Sequence, residues 1–338
     1  MKIVVFGPER RVGVLREQRV VDVCLARAKL LGERDGEPHP RVLARAQVPA
    51  DLAAFIESGP EGLRRAQEAV EYALAAGPDA RGLDGEPIAH DAAGVKLHAP
   101  LPAGARVACA GGNFADHAAA MARSRGGQQG ADFATHAEEM RRRGIWGFWK
   151  VDREAVGPGG QIIYPARTHR LDYEGELAIV LGRRGKDIAA DGWRPYVWGV
   201  TLLGDWSIRD GREQAGPLTF ARGKNFDTSF SLGPCIAVDE ADPAAVDVET
   251  LVNGERRQLY NTRDMVFSFG DYLAYLSADM TLYPGDIVSG GTAAGTAQDS
   301  SRLLADGQVD PARFLKVGDT VEIRSPAVGA LAARVVEK

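Results

Sequence analysis

One stretch near the middle of the chain limits the fold more than any other. Leu171-Asp-Tyr-Glu-Gly-Glu-Leu-Ala-Ile-Val-Leu-Gly182 reads with a period of two, the signature of a strand. Glu174 and Glu176 then share a face with Ala178 and Val180, while Leu177, Ile179 and Leu181 occupy the other. At about 3.3 Å per residue the two glutamates stand roughly 7 Å apart along the backbone. Two carboxylates on one face repel each other and resist burial. Either the strand leaves both acids in water, or it is buried and something positive stands between them. A hard divalent cation suits such oxygen donors.

Asp205 supplies a third carboxylate. It ends the apolar run Trp198-Gly-Val-Thr-Leu-Leu-Gly204, and an acid at a strand end beside a glycine is placed to project into a cleft. Two Glu and one Asp would leave open positions on an octahedral Mg²⁺ or Mn²⁺ for water or substrate. The alternative is three solvated acids on loop edges.

The first hundred residues carry no catalytic cluster. Lys2–Phe6 reads as a strand, with further strands or strand–helix edges at Arg11–Leu15 and Val20–Leu25. Pro49–Ile56 and Pro60–Ala76 read as helices; the second places Leu63, Ala66, Ala69, Val70 and Leu74 at helical spacing. Residues 1–98 are therefore expected to form a small α+β accessory domain. The proline-punctuated connector Val95–Gly104 marks the boundary, and a catalytic domain over 104–338 follows. Within it, 118–147 is rich in Arg, Gly, Gln and Ala. Asn113–Met121 is echoed by Asp132–Met140, with the Gly126–Gly130 tract between them. A mobile lid over a site, spanning 113–147, is the functional expectation; a surface insertion is the alternative.

From Phe148 onward strand patterns dominate, with one clear helix at Ser268–Ser277. The expected fold class is α+β, mostly β, with a curled and largely antiparallel sheet system. No G-x-G-x-x-G opens a helix after a strand, and Arg222-Gly-Lys-Asn lacks phosphate-loop spacing. The net charge of -5 argues against nucleic acid as a partner. Cys24, Cys109 and Cys235 are odd in number and far apart, as expected of reduced thiols. No apolar run reaches membrane-spanning length, and Ile3–Phe6 is too short for a signal sequence. The expected setting is the cytoplasm, with no membrane partner.

Several separated motifs resemble the fumarylacetoacetate hydrolase family in order and spacing. They are Asp172–Gly182, Gly204-Asp-Trp-Ser-Ile-Arg-Asp210, Gly223-Lys-Asn-Phe-Asp-Thr228, Met280–Val288 and Gly291-Thr292. Gly112-Asn-Phe-Ala-Asp-His117 is similar to the family's early histidine motif, and Asn261–Ser268 is also similar. The resemblance runs from about residue 100 to the C-terminus. It implies a mixed β-roll catalytic domain, a divalent metal and usually a homodimer. The metal would be Mg²⁺ first, with Mn²⁺ or Ca²⁺ as alternatives. It maps the metal ligands onto Glu174, Glu176 and Asp205, a substrate-binding lysine onto Lys224, substrate contacts onto Arg209 and Thr292, and the catalytic histidine onto His117. Members act on small oxo-acids as C–C hydrolases, decarboxylases, isomerases or dehydratases. The expected activity is hydrolysis of a C–C bond in a 2-oxo or 2,4-dioxo acid. Isomerisation, decarboxylation or simple oxo-acid binding are the alternatives.

The chain departs from the family pattern at three places. The glutamate usual three residues after the histidine is Ala120, whereas the echo segment carries Glu139 three residues after His136. Either Glu139 supplies the missing acid from the lid, or the site has no water-activating dyad. Arg212 adds a cation near Arg209, which favours a more anionic substrate such as a dicarboxylate. Ala293 stands where proline is common and loosens that loop.

Overall fold

The strand anticipated around the glutamate pair spans Gly175–Leu181, and every residue in it is buried. The computed structural model describes residues 1–338 apart from 78, 125–132, 211–216, 306 and 308, and the side chains of 217–219. The lid tract Gly126–Gly130 and Arg212 fall outside the described residues.

Gly175–Leu181 pairs antiparallel with Val197–Asp205 on one side and Ile287–Ser289 on the other. It therefore lies inside a sheet of eleven strands among the described residues. A second sheet has five strands, from Glu255–Asn261 at one edge to Gly160–Ile163 at the other. Pairing is antiparallel except where Ile287–Ser289 meets Val107–Ala110 and where Gly329–Val336 meets Gly160–Ile163.

Burial on both faces explains the near-continuous apolar run. Leu177, Ile179 and Leu181 pack in one cluster with Val248, Ile323 and Leu331 of the five-stranded sheet. Ala178 and Val180 join Ile3, Val5, Leu30, Phe55 and Val70 on the opposite face. The layers thus run from N-terminal helices through the large sheet to the small sheet. The architecture is α+β, as expected from the strand-rich pattern. Lys2–Phe6 hydrogen-bonds antiparallel to Phe230–Ala237, and Leu97–His98 of the connector pairs with Lys2–Phe6. Strands from both segments of the chain therefore share one sheet.

Two helices in the first hundred residues escape the periodicity reading. Val20–Leu25 divides into a strand, Arg19–Asp22, and the start of a helix, Val23–Glu33. Asp22 accepts from the Leu25 N–H at 2.9 Å and starts that helix. Val23, Cys24, Ala26, Ala28, Leu30 and Leu31 are all buried, so no polar stripe signals its period. Pro40–Gln47 is also helical. The second anticipated helix is observed as Gly59–Ala75 and the late one as Phe269–Ser277. None of the described helices is long and apolar enough to cross a membrane. All three cysteines are free and buried.

Candidate metal centre and histidine dyad

The turn between Leu171–Asp172 and Gly175–Leu181 delivers Glu174, and the strand itself delivers Glu176. Asp205 closes the neighbouring strand, and its N–H donates to the Glu174 carbonyl at 2.9 Å. Backbone pairing therefore fixes the two carboxylates relative to each other. Glu174, Glu176 and Asp205 are buried, and each offers an oxygen within 4.8 Å of the others. The donor set is oxygen only, as a hard divalent cation requires.

Three cations partly neutralise this cluster. The Lys224 ammonium contacts Glu174 and lies 2.6 Å from Asp205 Oδ2. Lys150, fully buried, pairs with Asp205 Oδ1. Arg209 pairs with Glu174 and donates Nε to Asp172 Oδ2 at 2.8 Å. Glu176 is different. Its close partner is the Ser289 hydroxyl, and no cation among the described residues lies within ion-pair distance of it.

The electrostatics follow from this arrangement. Burial alone would raise Glu174, but Arg209 and Lys224 outweigh it and hold the carboxyl well below its usual range. Burial raises Glu176 well above that range, and the nearby Asp205 and Glu174 push it further. Burial also raises Asp205, against Lys150 and Lys224. Lys224 is pushed up to about 12: burial favours its neutral form, but Asp205 and Glu174 outweigh that effect. A buried acid facing two others, with no cation among the described residues at ion-pair distance, suits a divalent cation as its counter-charge. The residues fit a divalent cation.

His117 lies on the helix Ala115–Arg123, is buried, and lines the same cavity as Glu174 and Glu176. Asn113 anchors the turn before it. Its amide donates to the carbonyls of Phe267 at 2.9 Å and Gly290 at 3.0 Å and accepts from the Phe267 N–H at 2.9 Å. The histidine has a carboxylate partner, and it sits at neither position 120 nor 139. His117 Nδ1 lies 2.6 Å from Asp299 Oδ2. Donation from Nδ1 to the carboxylate makes Nε2 the basic nitrogen. Asp299 belongs to a one-turn helix, Ala297–Ser300. Asp172 accepts from the Ala297 N–H at 2.6 Å and the Gln298 N–H at 3.2 Å. Asp172 thereby joins the Arg209 end of the carboxylate cluster to the helix that carries Asp299.

The remaining candidates have definite places. Glu139 and His136 line the cavity from the helix Phe133–Arg143, and Glu139 is paired with Arg143 on the same helix. Thr292 lines it too, with its hydroxyl donating to the Gly175 carbonyl at 2.9 Å and accepting from Gln258 at 2.8 Å. Arg209 faces the cavity while engaged by two acids. Lys150, Asp172 and Asp299 are the residues that sequence reasoning passed over. Only Asp299 left a local trace: Thr296 three residues before an acid is a helix-start pattern, and Thr296 does cap that helix.

Lys150 also donates to the carbonyls of Lys224 at 2.6 Å and Ser229 at 3.0 Å. Lys150→Met is expected to lower unfolding free energy by about 2–3 kcal/mol, because Asp205 keeps only Lys224 as its cation and two buried carbonyls lose their donor. Urea denaturation measures this; a loss under about 1 kcal/mol would mean that the pair is not structural.

The family model described as "Fumarylacetoacetate (FAA) hydrolase C-terminal" matches residues 106–336. An uncharacterised protein of Methanocaldococcus jannaschii is 39% identical over 170 residues, which is 50% of this chain and 64% of that protein. The mitochondrial oxaloacetate tautomerase Fahd2a of Rattus norvegicus is 31% identical over 291 residues, 86% of this chain and 80% of that one. Among solved structures, the maleylpyruvate hydrolase from Sphingobium sp. SYK-6 in complex with manganese(II) ion and pyruvate superposes with a TM-score of 0.68. It is 26% identical over 100% of this chain and 99% of that chain.

Proposed function

The chain belongs to the fumarylacetoacetate hydrolase family, and from that premise we propose that it is a divalent-metal-dependent enzyme hydrolysing a C–C bond in a small 2,4-dioxo acid. The observation that carries this reading is the His117–Asp299 pair beside the carboxylate triad. Glu174, Glu176 and Asp205 would hold the cation, Mg²⁺ or Mn²⁺. When bound, that cation supplies Lewis acidity for the carbonyl oxygens and for the negative charge that develops as the bond breaks. His117 takes a proton from water at Nε2, and Asp299 stabilises the imidazolium that forms. The hydroxide adds to the distal carbonyl carbon, the C3–C4 bond breaks, and the electron pair left on C3 takes the proton back. The products are pyruvate and a carboxylic acid. Lys224 and Arg209 hold Glu174 ionised and keep the site positive enough for an anionic substrate.

A second reading is keto–enol tautomerisation, in which the same histidine removes a proton from C3 and no bond between carbons breaks. The tautomerase named above, similar over 86% of this chain, favours it. Incubating a 2,4-dioxo acid with the Mn²⁺-loaded protein separates the two. Hydrolysis removes the dioxo-enol absorbance and releases stoichiometric pyruvate, and EDTA prevents both. An absorbance change without pyruvate would sink hydrolysis and favour tautomerisation; neither signal would remove both.

The working unit is proposed to be a cytoplasmic homodimer. Light scattering is expected to give twice the 36.2 kDa chain mass. Metal affinity is expected to rise with pH. Glu176 holds its proton above the usual carboxylate range, and the cation must displace that proton. Calorimetry in buffers of different ionisation enthalpy would register the released proton.

A further inference from the structure

The cavity above the triad holds about 280 Å³ and is two-sided in its chemistry. Its floor is charged: Glu174, Glu176, Arg209 and Lys224. Its wall is apolar: Met121, Met140, Trp146, Phe148, Phe220 and Phe267.

The aromatic part of that wall is a built surface. Phe220 stands edge-on to both Trp146, with centroids 5.6 Å apart, and Phe148, at 5.5 Å. Trp146 is seated over Gly111, where a Cβ would come within 2.6 Å of the indole ring. Phe220 and Lys224 share the helix Pro217–Lys224 four residues apart, so both project from one face, one turn from each other. The Lys224 ammonium also lies 4.9 Å from the Phe148 ring centroid. The apolar wall therefore begins where the charged floor ends. Trp146 and Phe220 remain 49% and 40% exposed, large apolar surface left uncovered at a cavity mouth.

Among the described lining residues, the full charges beyond that wall, Glu139 and Arg143, are paired with each other. His136 adds a polar edge.

Resting on the oxo-acid reading above, we infer that the substrate carries a bulky apolar group, aryl or branched alkyl, on the side away from its carboxylate. Trp146, Phe148 and Phe220 hold that group and set specificity. The dicarboxylate preference drawn from Arg212 predicts the opposite order of substrates.

The test uses the full chain loaded with Mn²⁺ and four ligands that cannot undergo the cleavage: oxalate, 2-oxobutanoate, 2-oxo-4-phenylbutanoate and 2-oxopentanedioate. Dissociation constants come from calorimetry. The phenyl compound is expected to bind on the order of tenfold tighter than 2-oxobutanoate. Phe220→Ala should cancel that advantage and leave oxalate affinity unchanged; Phe220→Leu should retain part of it and guards against a folding defect. Equal affinities, or tightest binding of 2-oxopentanedioate, would overturn the inference while oxalate binding upholds the metal and oxo-acid reading. Equal weakening of oxalate and the phenyl compound by Phe220→Ala would also overturn it, since the ring would then only shape the site. Failure of oxalate to bind with metal would overturn both.

Discussion

Glu176→Gln is expected to abolish divalent-metal binding and lower oxo-acid turnover about 10³-fold, while the metal-free protein stays at least as stable as wild type. The turnover figure corresponds to about 4 kcal/mol of lost charge stabilisation at the reacting oxygens. The stability arm is the more diagnostic. Glu176 has no cationic partner among the described residues, so a neutral isostere leaves no buried charge unpaired. Its amide oxygen can still accept from the Ser289 hydroxyl. Glu174→Gln lacks this property, because it would remove one of the two acids that Arg209 and Lys224 each contact. The pH dependence has a definite sign. A carboxyl raised in the folded state binds its proton more tightly there than in the unfolded chain. Its effect therefore lowers stability as pH rises through the window between the ordinary carboxylate pKa and the raised one. The advantage of Glu176→Gln should appear above about pH 4–5 and vanish below it. Thermal melts with and without Mn²⁺ across that range measure both arms. Wild-type Mn²⁺ stabilisation in the variant would reduce Glu176 to an ordinary buried acid.

The second large effect concerns the dyad. Asp299→Asn is expected to lower kcat by about 10²–10⁴-fold with metal affinity retained. An asparagine at 299 can offer its amide N–H to Nδ1 and so favour the wrong tautomer, leaving Nε2 protonated and unable to act as a base. It also withdraws the charge that stabilises the imidazolium. His117→Ala should give a similar loss, and the double variant should lose little more, because the two residues act as a unit. Glu139→Ala, by contrast, removes a residue already engaged by Arg143 and should retain most activity. Single-turnover kinetics with Mn²⁺ saturation measure these rates. Near-wild-type turnover in Asp299→Asn would show that the close His117 contact is structural, and a large loss in Glu139→Ala would return the acid to the lid.

Much of the centre was legible from local pattern. Period two predicted a shared face for Glu174 and Glu176 and a strand end for Asp205; Glu174 stands in the turn just before the strand, yet its carboxylate still meets the other two. What local pattern missed was the carboxylate for His117. Ala120 removes the usual partner from the same helix, and the nearby echo drew attention to Glu139. The acid that makes the contact lies 182 positions along the chain, on one short turn. Lys150 was missed for a related reason: a lysine after Phe148 and Trp149 reads as the polar residue of an edge strand. Its side chain instead turns inward to Asp205 and two carbonyls.

The sequence by itself determined that Glu174 and Glu176 stand two residues apart at an alternating apolar run and that Asp205 ends another, and it left a hard cation or solvation as the two ways to accommodate them. Those are properties of spacing and valence, which a chain of letters preserves. Only the tertiary structure decided which cations and which acid complete the set. Lys150, Asp172 and Asp299 are brought in by sheet pairing and by the packing of a four-residue helix onto Asp172. Contacts of that kind depend on backbone closure over long separations, 74 residues from Lys150 to the Lys224 carbonyl and 182 from His117 to Asp299, and no local period records them.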